Sequence, residues 1–247
     1  MQITLLGRPR SFNLVASSET RDLSKSIVIY ISLILAFTAV SLSVAPASSR
    51  SGTFRAIALI PGHEAELAAF AIALAVLPSL VLGRVSVSLF LFIPVVCITT
   101  DLDHLPSALG IPQAIRPAHS FVFLLVSVGL VLLLTRRTDL GAGVLTGFLG
   151  HLSVDTGLFP AFSPFSFAYF NLGSYQGYFV TGSILASLLA GYLARRRLRS
   201  EGAQTYSQNT SRVNSGESGT LSGHGCGERE EMGMEHLPHV IGSNSKR

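Results

Sequence analysis

The chain has 247 residues and a formal charge of +4, with 48% of its residues hydrophobic and only 13% charged. A soluble globular domain carries about 25% charged residues, so this composition excludes an ordinary soluble domain, a disordered chain and a nucleic-acid-binding module. With a mean hydropathy of +0.49, it points to an all-α, polytopic transmembrane helical bundle in the cell membrane, with membrane lipid as its surroundings.

A spanning helix needs about 20 mostly apolar residues, and six segments approach that length. They run from about Ser26 to Val44, Ala65 to Leu82, Val85 to Thr99, Ser120 to Thr135, Leu140 to Phe159 and Gly177 to Ala194. Residues 1–25 then form a cytoplasmic N-terminal segment, 26–46 a first membrane helix, 61–194 a membrane-embedded domain and 200–247 a polar tail. The first helix has a rival reading as a signal sequence. Arg21 and Lys25 precede its apolar run, and Ser43-Val44-Ala45-Pro46-Ala47 follows it with some cleavage-site character. Pro46 directly after Ala45 disfavours cleavage and the leading region is long, so the segment is read as retained.

Orientation follows from where Lys and Arg fall. Arg195, Arg196, Arg197 and Arg199 abut the sixth segment and place that end in the cytoplasm. Counting back puts Arg136-Arg137, Arg84 and the N-terminus inside, with Arg50, Arg55 and Arg116 outside as the exceptions. After Arg199 the chain turns to Gly, Ser, Asn and Glu, a composition expected to stay disordered. His224, Cys226, His236 and His239 in this tail are read as solvated rather than ligating. Cys97 and Cys226 lack spacing partners, which leaves no disulfide framework and no cysteine zinc site.

The informative residues are the few ionisable groups at the edges of the apolar runs, since such groups are costly in lipid. His63 starts the second segment, with Glu64 and Glu66 beside it. Asp101, Asp103 and His104 follow the third, His119 precedes the fourth, and His151 and Asp155 lie late in the fifth. The topology brings all of them towards the outer face, although they come from distant parts of the chain. His151 and Asp155 are four apart, which stacks them on one helical face, and Asp101-Leu102-Asp103-His104 sets three N/O ligands in one turn. With His63 and His119 the set exceeds the four ligands of a tetrahedral zinc, so one or more divalent ions can be held. Each residue also has a plainer reading alone: a cap for His63, Asp101 or Asp103, an interhelical pair for His151 with Asp155. Gly147, Gly150 and Gly157 are read as small residues for close helix packing.

Asp101-Leu102-Asp103-His104, Arg116-Pro117-Ala118-His119-Ser120, and Gly150-His151-Leu152-Ser153-Val154-Asp155 followed by Pro164-Phe165 resemble the YdjM-type family. These are LexA-regulated inner-membrane proteins described as metal-dependent hydrolases and thought related to the zinc-dependent phospholipase C and P1 nuclease group. Gly62-His63 matches an early Gly-His of the family, and the resemblance covers about Pro61 to Phe165. Thr100 stands where the family has proline, Ser163 where it has an aromatic, and the signature around His119 is shortened.

The resemblance implies metal-ligand roles for His63, Asp101, His119, His151 and Asp155, with Asp103 and His104 as further ligands or the base. The expected function is a membrane-bound, divalent-metal-dependent hydrolase, with zinc as the expected ion. Its substrate would be a phosphodiester or other ester, lipid among them, near the extracytoplasmic face. The alternatives are a cation transporter and an inactive scaffold that keeps a structural metal site.

Overall fold

The structure is a computed structural model, and it describes residues 11–45, 61–111, 116–155, 158–166 and 168–216. It divides into two units, residues 1–202 and residues 203–247. The first unit is helical. Helix α1 covers Ser11–Val44, α2 Pro61–Leu82, α3 Val87–Thr99, α4 Phe121–Thr135, α5 Thr138–Val154 and α6 Gln176–Gly216. Between α3 and α4 lie 3-10 turns at Thr100–His104 and Pro117–His119 and a single helical turn at Leu105–Ala108. Between α5 and α6, Leu158–Phe159 pairs antiparallel with Phe170–Asn171.

Local chemistry sets the helix ends. The Ser86 hydroxyl accepts from the Leu89 N–H at the start of α3, and Ser120 accepts from the Phe123 N–H, at 3.1 Å, at the start of α4. Helix α4 stops at Arg136, whose backbone is left-handed with φ of 55°. Pro78 and Pro94 lie inside α2 and α3, positions tolerated where neighbouring helices surround the freed backbone groups.

Helix α5 is the centre of the bundle, packing against α2, α3 and α4, while α1 packs against α3 and α4. Its glycines permit this. A Cβ on Gly147 would lie 2.7 Å from the Val96 side chain and 2.8 Å from the Ile93 carbonyl oxygen, so α3 and α5 meet backbone to backbone. Gly150 abuts Leu74 of α2 in the same way; both serve the packing role expected of them, and Gly157 lies outside the described residues. The core between the helices is Phe92, Ile93, Val96, Phe123, Val144 and Phe148, all without solvent exposure.

Among the described residues, four helices are long and apolar enough to cross a membrane: Glu19–Val44, Ala65–Leu82, Val87–Ala108 and Gly173–Gln204. The expected count of about six is therefore corrected to four. The fourth predicted span is a 15-residue helix and the fifth a 17-residue one, both short of the usual spanning length. For α5 the reason is visible. Most of its side chains are buried against other helices, so protein rather than lipid surrounds it, and glycine replaces bulk apolar residues.

Helix α6 continues to Gly216, through the first part of the polar stretch that follows Arg199. That stretch contains Glu201, Ala203, Gln204, Gln208 and Arg212 and no proline, a set of helix formers. Residues 217–247, with the tail histidines and Cys226, lie outside the described residues.

The two ends of α5 carry different polar groups. At its start, the buried Arg137 holds Asp139 through two hydrogen bonds, of 3.2 and 2.6 Å, and Arg197 of α6 reaches both Asp139 and Glu19 of α1. At its far end, about 18 Å along the helix axis, lie His151 and Asp155.

Candidate metal centre

The turn Thr100–His104 tightens the end of α3 and directs its polar groups inward. Thr100 donates to the Val96 carbonyl at 2.8 Å, and its hydroxyl pairs with Tyr30 of α1 at 2.9 Å. Asp103 and His104 are buried as a result, as are His119 at the end of the next turn and His151 in α5. Asp155, immediately after α5, is 7% exposed. The structure thus brings together Asp101, Asp103, His104, His119, His151 and Asp155, all named from the sequence. For His63, in the first turn of α2, the side chain lies outside the described residues; Glu66 is exposed.

Each key imidazole is oriented by an acceptor behind it. His119 Nδ1 lies 3.0 Å from Asp103 Oδ2, which also accepts from the Ala118 N–H at 2.9 Å. His151 Nδ1 lies 2.9 Å from the Cys97 carbonyl oxygen. A carbonyl and an ionised carboxylate only accept, so both Nδ1 atoms carry a proton, and Nε2 is the atom each ring offers to an ion. Those two Nε2 atoms face each other at 2.8 Å, and Arg116 Nη2 is hydrogen-bonded to the His119 one. Two imidazole nitrogens at that separation need a proton or a cation beside them.

Carboxylate oxygens complete the cluster. Asp101 Oδ1 is 3.5 Å from both His119 Nε2 and His151 Nε2, and also 3.5 Å from His104 Nε2; Asp155 Oδ2 is 3.6 Å from His119 Nε2. A tetrahedral ion with bonds of about 2.0–2.1 Å sets its ligand atoms about 3.3 Å apart, close to these separations, and the ligand-type atoms fall into two overlapping groups that share His119: Asp101, Asp103, His104 and His119, and His119, His151 and Asp155. Asp101 Oδ2 is buried and has no hydrogen-bond partner among the described residues, an arrangement that a bound cation would relieve. The donors are imidazole nitrogen and carboxylate oxygen, which suit zinc and similar first-row divalent ions. The residues fit a metal: the buried Asp/His cluster can hold an ion.

One member of the cluster was missed from sequence. Arg116, 6% exposed, ion-pairs with Asp155, approaches Asp101 at 3.7 Å and donates from Nε to His104 Nε2 at 3.1 Å. In the sequence it appeared as an exception to the cytoplasmic bias of basic residues and as the first residue of the motif around His119, with no site role given to it. That exception was the available signal, since a cation on the less favoured face needs a local reason to be there. Burial and the Arg116 charge push the His119 imidazole down, but Asp103 and Asp101 outweigh them and raise it to about 9.

Comparison with protein-family models, with curated proteins and with solved structures gives no match to this chain.

Proposed function

We propose that the chain is a multi-pass membrane protein acting as a divalent-metal-dependent hydrolase of phosphodiesters or related esters near the extracytoplasmic face. Asp101, His119, His151 and Asp155 hold the ion, and zinc is the first candidate. The observation that carries this reading is the convergence of two imidazole Nε2 atoms and two carboxylates in one buried cluster. Charge supports it. Asp101, Asp103 and Asp155 outnumber Arg116 by two, and a protonated His119 offsets only one of these charges; the remainder is costly away from water, and a divalent cation that displaces the His119 proton cancels both.

A bound ion of this kind acidifies a water and polarises the scissile group. The chain's own residues do the rest. Asp103, committed to His119 and the Ala118 N–H, fixes the ring that ligates, so it is a positioning residue rather than the base expected from sequence. His104, beside Asp101 and reached by Arg116, remains the side chain placed to take a proton. The guanidinium of Arg116 offers an anionic phosphoryl oxygen the planar, two-pronged contact that suits it. Transport is disfavoured, because the core beyond the cluster is closed by Phe92, Ile93, Val96 and Phe148.

A second reading has its own observation. The Arg116–Asp155 ion pair makes the guanidinium a resident cation, and the cluster would then be a structural ion network without metal. Hydrolysis of generic phosphodiesters by the purified full-length protein, with added zinc or with chelator, separates the two. Turnover that chelator abolishes and zinc restores supports the hydrolase. Turnover indifferent to chelator, or none under any metal, contradicts it.

A further inference from the structure

A cavity of about 260 Å³ lies among Phe121, Phe159, Phe162, Phe170, Tyr178 and Phe179, two of which follow the cluster residues His119 and Asp155 closely in the chain. Three separate segments build it: the start of α4, the strand pair after α5, and the start of α6. They are fastened together rather than loosely apposed. The Phe121 N–H donates to the Ala161 carbonyl at 2.9 Å, and Gln176 Nε2 donates to the Ser153 carbonyl at 2.8 Å. The rings interlock, Phe121 lying 5.6 Å from Phe159, and Phe159 6.0 Å from Phe170. The inner wall, Phe159, Ala161 and Phe179, is buried, while Phe162 and Tyr178 are 50% and 77% exposed. The cavity is therefore roofed at its base and open at its mouth.

Its position relative to the ligands gives it meaning. Phe121 follows His119 by two residues and Phe159 follows Asp155 by four, so at Phe121 the cavity wall begins within about 7 Å of the His119 backbone. The exposed tyrosines and phenylalanines at this end are rings of the kind that a headgroup layer accommodates. A molecule with its anionic group at Arg116 and the metal ligands has an apolar slot next to it and nowhere polar to extend. An aromatic belt alone would need neither the concavity nor the covalent link to two ligand segments.

We propose that this cavity is the tail subsite of the site, taking the first carbons of the hydrocarbon chain of an anionic, lipid-like phosphate ester. The proposal rests on the metal-centre reading and narrows its substrate class to amphiphiles. The polar end is recognised by charge and the near part of the chain by ring faces, while the rest of the chain stays in the bilayer.

The test uses the full chain in nanodiscs, loaded with zinc, and a non-hydrolysable octylphosphonate carrying a diazirine at the chain end. Octanol with the same diazirine is the control for simple partition into lipid. After photolysis, peptide mass spectrometry locates the label. The phosphonate is expected to label residues 159–162 and 175–179 severalfold more than the alcohol does. Phe170→Asp and Tyr178→Asp, both on the exposed wall, should abolish that excess while leaving metal content unchanged. Equal labelling by the two probes, or an excess that survives both substitutions together, overturns the subsite. Metal content of the same samples separates the two claims. A metal-bearing wild type without the excess removes the tail subsite alone, and a chain that carries no metal removes the reading on which it rests.

Discussion

Asp103 and Asp101 are two residues apart, yet the structure gives them different work. Asp101 faces both Nε2 atoms, whereas Asp103 sits behind His119 and accepts from its Nδ1. Replacing an orienting carboxylate weakens a metal site without removing a ligand, typically by about 10- to 100-fold in affinity. Asp103→Asn is therefore expected to lower zinc affinity by that order in a competition titration against a chelating dye. His151→Ala, which deletes a ligand, should abolish stoichiometric binding. Equal effects of the two substitutions would contradict the assigned difference.

His119 supplies a pH signature. Its imidazole is raised to about 9 by Asp103 and Asp101 against burial and Arg116, so at neutral pH an incoming ion displaces its proton. Affinity should accordingly rise about tenfold per pH unit up to about pH 9 and level off above it. Calorimetry in buffers of different ionisation enthalpy should show about one proton released at pH 7. Flat affinity between pH 6 and about pH 9 would remove His119 from the ligand set.

At the scale of elements, the site depends on how closely α3 and α5 approach. Gly147 lets them touch, which sets Cys97 and His151 at the distance their hydrogen bond needs. Gly147→Leu must push the helices apart, at a cost of about 1–3 kcal/mol for overpacking, and should lower both the melting temperature and the zinc affinity. A variant destabilised with unchanged affinity would show that the centre is not tied to this helix contact. The sequence made the helices legible because long uncharged runs leave few alternatives, and it made six site residues legible because ionisable groups are scarce there. Arg116 was not legible, because a topology count treats every arginine alike and only the fold shows which one turns inward. The role of Asp103 was hidden for a similar reason: spacing places a carboxylate near a site without saying which atom it faces. The shortness of the α4 segment could be read from the sequence, but the burial of α5 could not, since hydropathy cannot tell a helix sheltered by protein from one immersed in lipid.

For the whole molecule, the two ends of α5 define an axis, with Arg137, Asp139, Arg197 and Glu19 at one end and the Asp/His cluster at the other. The positive-inside bias would put the basic first end in the cytoplasm, which requires the short helices α4 and α5 to cross the bilayer sheltered by the other four. In a background with Cys97 and Cys226 replaced by alanine, Ser107→Cys should react with an impermeant thiol reagent added outside intact cells, and Thr138→Cys should not. The reverse pattern would invert the molecule and move the centre to the cytoplasmic face.

The central claim is that the buried cluster is a metal site, and elemental analysis of the purified full-length chain tests it most directly. The account predicts at least about one divalent ion per chain, retained through gel filtration at neutral pH. That ion should be lost on chelation and absent from His119→Ala and His151→Ala preparations that still fold. A well-folded wild type with no stoichiometric metal after zinc loading would contradict it and leave Arg116 and a protonated His119 as the cations of the cluster.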